Sequence, residues 1–365
     1  MTTSSPLHEV HDRLGATFTD FAGWSMPLKY GSELAEHRAV RQAAGLFDLS
    51  HMGEIELTGP EAGRALDYAL VGHLSAVKVG RARYSVICNA EGGVLDDLVV
   101  YRLGEDHYLV VANASNAAVV AAELRDRAEG FLVEVADKST TCALIAVQGP
   151  RAAEIIDTVC VADLESLPYY GSTPTTIARH DVLLARTGYT GEDGFEVYAD
   201  AADAVDVWEA LSDAGAQYGL VPAGLACRDT LRLEAGMALY GNELTVDTNP
   251  FEAGLARVVK FDKPADFVGR GPLEAKRDEG VSATLVGLLG TGRRAPRHGY
   301  PVLSEDGSQV GTVTSGALSP TLGVPIAMAF VPTAMSEPGT KLTVDVRGSS
   351  VPVEVVKLPF YKRST

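Results

Sequence analysis

Helix-forming periodicity runs intermittently through the first 262 residues and then stops. Up to that point helical and strand-like segments are mixed. Residues 31–44 carry a helical pattern with Ser32 as N-cap, and 115–127 carry another with Ser115 as cap. Further helices are predicted at 151–159, 201–214 and 223–236. Strands are predicted at 54–58, 83–88, 94–101, 107–112, 131–135, 142–147, 175–179, 182–187 and 194–198. Short hairpin-like links between them point to α+β units. The stretch 262–282 is charged and rich in Pro and Gly, and reads as a linker. Beyond it come only short strands, at 284–290, 309–314, 325–331, 341–346 and 351–358, separated by turn residues. That order predicts a small C-terminal β-barrel or sandwich.

Within the first part, Gly92-Gly93-Val94-Leu95-Asp96-Asp97-Leu98-Val99-Val100-Tyr101 reads as a turn feeding an apolar strand with two adjacent carboxylates. Side chains alternate along a strand, so Leu95, Asp97, Val99 and Tyr101 share one face and Val94, Asp96, Leu98 and Val100 the other. A carboxylate on an apolar strand is costly unless paired. Tyr101 favours Asp97 as the one that meets a ligand. A turn-capping or solvated Asp fits the segment equally well.

Composition excludes several function classes. The net charge of −17 disfavours nucleic acid and anionic membranes, so an anionic ligand must be met by local cations. No apolar run reaches the length of a membrane span, and residues 1–6 lack a signal-peptide pattern, so a cytoplasmic location is expected. The four cysteines are far apart with no CxxC, and the eight histidines are scattered; no metal site is expected.

Gly290-Thr-Gly292-Arg-Arg-Ala295 matches a dinucleotide fingerprint, but Pro296 follows at once and the residues after it have no helical period, so the helix N-terminus that would hold a pyrophosphate is not predicted. The adjacent Arg293, Arg294 and Arg297 read best as a solvated basic loop, or as a weak candidate for docking an acidic partner. The loop Arg186-Thr-Gly-Tyr-Thr-Gly-Glu-Asp-Gly-Phe-Glu196 has three glycines that would let backbone approach a ligand. In it Tyr189 could stack on a ring and Glu196 could accept two parallel hydrogen bonds from a planar amidine-like edge. Alone, the loop reads as a hairpin. In 222–237, spacing puts Ala226, Thr230, Leu233 and Met237 on the packed face. Arg228 fits an internal ion pair or a ligand contact.

Taken in order, these segments resemble one family along nearly the whole chain. They are Asp48-Leu-Ser-His-Met52, Gly92 to Asp97, Asn113-Ala-Ser-Asn116, Arg186 to Glu196, Cys227-Arg-Asp-Thr-Leu-Arg-Leu-Glu234, Thr314-Ser-Gly316 and Pro359-Phe-Tyr361. The chain is similar to the aminomethyltransferases of the glycine cleavage system, the T-proteins. The resemblance implies an α+β fold of two ferredoxin-like domains plus a C-terminal β-barrel, in a cloverleaf around a central folate channel. It implies a discontinuous first domain (1–54 with 151–262), a second domain (55–150) inserted into it, a linker at about 263–282 and a barrel at 283–365.

The implied reaction moves a one-carbon unit from the aminomethylated dihydrolipoyl arm of the H-protein to tetrahydrofolate, giving 5,10-methylenetetrahydrofolate, ammonia and the reduced arm. By resemblance Asp97 is the catalytic residue. Folate contacts fall on Met52, Tyr84, Val99, Tyr101, Asn113, Tyr189, Glu196 and Arg228, with Tyr361 and Arg363 in the segment that closes the channel. Met237 stands where some members carry an aromatic residue. No metal and no flavin are implied. Four relatives of the same fold compete. An iron–sulfur assembly factor would need a cysteine that Lys263 to Arg270 lacks, and a flavin-linked dehydrogenase would need a longer chain. A folate-dependent demethylase of a free small molecule, or a non-catalytic folate-binding protein, stays open.

Overall fold

The computed structural model describes residues 2–363. Its centre is two β-sheets that face each other. The first has the order Ser172–Ile177, His180–Ala185, Gly194–Asp200, Cys142–Gln148, Ala44–Asp48, Leu220–Pro222. The second has the order Arg81–Cys88, Val94–Gly104, His107–Ala112, Gly53–Thr58, Glu134–Asp137. The chain leaves the first sheet after Asp48, builds the whole second sheet, and returns at Cys142. The strand Cys142–Gln148 pairs with Ala44–Asp48 and Gly194–Asp200, so the return falls before Cys142 and not at 150.

Strand alternation explains why the sheets pack. In Cys142–Gln148, Ile145 and Val147 point to a core with Trp208 and Phe195, while Leu144 and Ala146 point the other way. In His107–Ala112, Val110 joins the second sheet's own core, while Leu109 and Val111 meet Leu144 and Phe47 between the sheets. Each Leu or Phe buried there contributes about 2–3 kcal/mol, enough to hold the sheets in one register.

The C-terminal strands close a six-stranded barrel ordered Ala283–Gly290, Pro325–Pro332, Gln309–Leu318, Pro301–Leu303, Lys341–Val346, Ser349–Val356. The fold class is α+β with a β-barrel, as expected. The linker expectation needs correction, because its second half is the helix Arg270–Glu279. Its first half is anchored by buried Lys263, whose Nζ donates to the carbonyls of Leu70 and Gly72 at 2.5 and 2.8 Å. The predicted Ser32 cap holds, accepting from Ala35 N at 3.4 Å. The Ser115 cap does not: the helix spans Ala117–Arg127 behind Asn116. No helix of the described residues is long and apolar enough to cross a membrane.

Candidate active site

A cavity of about 710 Å³ opens where the two sheets and the barrel meet. Met52, Tyr84, Asp97, Val99, Asn113, Tyr189, Glu196 and Arg228 all line it. Its size and largely apolar walls with a few convergent polar groups are those of a small-molecule site.

Strand pairing sets the geometry around Asp97. Tyr84 pairs with Val99, so Asp97 lies diagonally across on the same face. The Tyr84 hydroxyl donates to Asp97 Oδ2 at 3.0 Å. Val99 also pairs with Val111, which carries Asn113, two residues on, to the level of Asp97. Asn113 Nδ2 donates to Asp97 Oδ1 at 2.8 Å. Burial raises the Asp97 pKa, and the Tyr84 and Asn113 hydrogen bonds pull it back.

Asp96 turns to the other face and is fully buried. Its carboxylate accepts from Asn113 N at 2.9 Å and from Asn116 Nδ2 at 2.7 Å. That second bond is why Asn116 does not cap its own helix. Burial, with the charge of Asp97 behind it, raises Asp96 to about 7. The turn before these residues requires glycine, since a Cβ on Gly93 would stand 1.8 Å from the Val246 carbonyl oxygen.

Glu196 faces the cavity from the first sheet. Its Oε2 accepts from Thr187 Oγ1 at 2.5 Å, Tyr101 OH at 3.2 Å and Tyr198 OH at 3.4 Å. Oε1 carries no protein partner among the described residues. Arg228, in the first turn of the helix Leu225–Glu234, stacks over the Tyr189 ring at 4.5 Å. Its guanidinium makes no ion pair or hydrogen bond among the described residues, which removes the internal ion pair expected as one alternative. Burial lowers its pKa, opposed by Tyr189 and Glu196, and a guanidinium stays charged under any such shift. The Tyr189 hydroxyl is held by the Ala238 carbonyl.

Three expected contacts lie elsewhere. Tyr101 is fully buried behind the wall and meets the lining only from behind, through Glu196, Thr187 and Tyr198. Tyr361 stacks under Arg41 at 4.1 Å, and Arg363 pairs with Asp193 at 3.4 Å; neither lines the cavity. Both ends of the tail are tied to the first sheet's loop and helices, not to the cavity wall.

Gly188 of the glycine loop lines the cavity, yet what it and Gly194 make room for is a side chain. A Cβ on Gly188 or Gly194 would meet the Gln148 side chain at 2.0 or 2.3 Å. Gln148 fills that space, donating to Thr187 O at 3.0 Å and accepting from Thr190 Oγ1 at 3.0 Å. These glycines therefore admit a buried glutamine that shapes the loop. Of the predicted packed face, Leu233 is buried while Ala226, Thr230 and Met237 are only partly so; the helix Leu225–Glu234 also buries Cys227, Leu231, Arg232 and Glu234. Arg232 is buried because it pairs with buried Glu243 at 3.0 Å.

Sequence reasoning missed Tyr169, Tyr170, Thr187 and Tyr198 as lining residues. Tyr198 was findable, since it sits two residues beyond Glu196 on the same strand face. No group of three or more His, Cys, Asp or Glu side chains that could hold a metal occurs among the described residues.

Known proteins match along the full length. Residues 7–263 match the family model described as GCVT N-terminal domain, and residues 284–362 the glycine cleavage T-protein C-terminal barrel domain. An aminomethyltransferase of Saccharopolyspora erythraea is 62% identical over 99% of this chain and 98% of its own length. Those of Streptomyces avermitilis (59%, covering 100% of both chains) and Moorella thermoacetica (47%, covering 98% of both) are also similar. The crystal structure of glycine cleavage system aminomethyltransferase T from Bartonella henselae superposes with a TM-score of 0.93 at 38% identity, covering 99% of each chain. The chain belongs to the glycine cleavage T-protein family, the aminomethyltransferases.

Proposed function

We propose that the cavity binds tetrahydrofolate and that Asp97 is the catalytic residue. The enzyme is an aminomethyltransferase of glycine cleavage. In the proposed reaction the aminomethyl carbon loses its bonds to the lipoyl sulfur and to its amino nitrogen and gains bonds to two folate nitrogens, whose two protons leave with the thiol of the reduced arm and with ammonia. The lipoylated H-protein is the proposed donor. The same reading includes a cytoplasmic location and a three-part division: a first domain of 1–54 completed by the return before Cys142 and running to 262, a second domain inserted between them, and a barrel at 283–365, a division that sheet membership supports.

One observation carries the reading: three charged groups of complementary chemistry converge on one cavity while two of them lack full protein partners. Glu196 Oε1 and the Arg228 guanidinium are both left for a ligand with an N–H edge and a carbonyl, as a pterin has. The Glu196 Oε2 already takes three hydroxyls, so a second parallel hydrogen bond from the ligand must compete with them. Tyr84 and Tyr189 supply ring walls.

Tetrahydrofolate supplies the nucleophilic nitrogens that accept the carbon. The protein's task is then positioning and electrostatics. Asp97, fixed from both sides by Tyr84 and Asn113, holds its carboxylate toward the cavity and stabilises positive charge developing there. Its raised pKa also suits it to hold or pass a proton.

Ammonia release from aminomethylated H-protein, followed with and without tetrahydrofolate, tests this. Fast release that requires tetrahydrofolate is expected. Release indifferent to folate, in a protein that still binds it, would favour a binding role or another one-carbon donor.

A further inference from the structure

We infer that Lys357 meets the anionic tail of the ligand at the barrel-side mouth of the cavity and so helps select folates by their tail charge. The inference rests on the tetrahydrofolate reading above. Four charged side chains line the cavity: Asp97, Glu196, Arg228 and Lys357. The first three surround the reactive end. Lys357 is exposed, as are Gly254, Pro338 and Tyr169, which line the same cavity; Lys357 and Pro338 mark the open rim on the barrel side. Thr284 and Ser336 add hydroxyls to it.

The lysine's backbone is fixed on both sides. Val356 before it pairs with Gly287 in the barrel. Leu358 after it packs with Leu233, Met328 and Phe360. Its neighbour Lys341 is engaged by Glu354, whereas the Lys357 ammonium enters no ion pair or hydrogen bond among the described residues.

The chain's charge gives the lysine its task. A surface carrying −17 repels an anion, so a carboxylate-bearing ligand needs a local cation where it meets solvent. With its ring edge against Glu196 and Arg228, a folate directs its glutamyl carboxylates toward the rim. Lys357 is the lining cation there. Each added glutamate brings further negative charge to the same place, so Lys357 counters the protein's repulsion of longer tails.

The test is equilibrium binding of tetrahydrofolate and of its tail diamide, in which both glutamyl carboxylates are amides, to the full chain and to Lys357→Ala and Lys357→Glu. For the acid form, Lys357→Ala should raise Kd about two- to fivefold at low salt. Lys357→Glu should raise it further, and both differences should shrink by 0.5 M salt. Diamide binding should be unchanged in both variants, which also shows that they fold. Equal losses for acid and diamide, or no loss for the acid in Lys357→Glu, would overturn the inference. Failure of the unaltered protein to bind either form would instead overturn the tetrahydrofolate reading.

Discussion

Glu234 ends the helix that carries Arg228 in its first turn, and replacing it with Gln should loosen the barrel from the rest of the chain. Its Oε1 accepts from Thr321 N at 3.0 Å. Its Oε2 accepts from Thr321 Oγ1 at 2.7 Å and from Arg41 Nη2 and Nε at 2.9 and 3.1 Å, with His37 Nε2 at 3.1 Å. Every position around the carboxylate is thus a donor or is filled by a ring nitrogen. A glutamine amide would turn its own N–H groups toward either Arg41 or Thr321, and would leave Arg41 with one buried counter-charge, Glu192, in place of two. Breaking a buried pair from one side costs about 3–5 kcal/mol.

The pKa gives the same scale independently. The surrounding hydrogen bonds and His37 outweigh burial and hold Glu234 at about 2, against an ordinary 4.5. A difference of that size is worth about 3 kcal/mol. Because the folded pKa is depressed, this stability is fully present above pH 4.5 and is lost as pH falls toward 2. Thermal unfolding of Glu234→Gln at pH 7 should show a Tm lower by about 4–6 °C, if 365 residues unfold together. The variant should also lack the part of the acid-induced loss that lies between pH 4.5 and 2. A Tm within 1 °C of the parent, or an unchanged acid limb, would refute the reasoning.

Two further outcomes are expected. Glu196→Gln keeps the shape of the ligand-facing group but removes its charge, so the Kd for tetrahydrofolate in a fluorescence titration should rise about 10- to 100-fold; a rise below threefold would remove Glu196 from recognition. Glu54 is fully buried between the sheets, and neither of its carboxyl oxygens finds a partner. Burial, with Asp137 and Glu196 nearby, raises its pKa well above 4.5. A raised carboxyl pKa makes stability fall as pH climbs above 4.5 toward the folded value. Glu54→Gln should therefore match the parent below pH 4.5 and exceed it at pH 8 in urea unfolding, and equal stability at both pH values would contradict the assignment.

Local pattern carried much of the fold. Strand alternation put Asp97 and Asp96 on opposite faces, and Tyr101 on the Asp97 face decided between them; Asp97 does line the cavity, although Tyr101 does not. The Ser32 cap and the run of barrel strands were equally local. What sequence could not supply were partners distant along the chain. Asn116 is drawn off its cap by Asp96, and the helix Leu225–Glu234 buries Arg232 and Glu234 only because Glu243 and Arg41 come to meet them. An apolar-periodicity reading necessarily assigns such charges to the surface. The helix Arg270–Glu279 buries only Leu273, too little apolar surface to stand out within a charged stretch. Tyr101 shares Asp97's strand face, yet the sheets meet over it, so it orders Glu196 and touches no ligand space.

The role of Asp97 is tested most directly by Asp97→Asn, read in two ways on one preparation. Asparagine keeps the size of the group and can still meet Tyr84, so the Kd for tetrahydrofolate should stay within about threefold of the parent. Folate-dependent ammonia release from aminomethylated H-protein should fall at least about 100-fold, the scale of losing a charge placed against the reacting centre. Turnover within fivefold of the parent, with binding intact, would contradict the assignment of Asp97 as the catalytic residue.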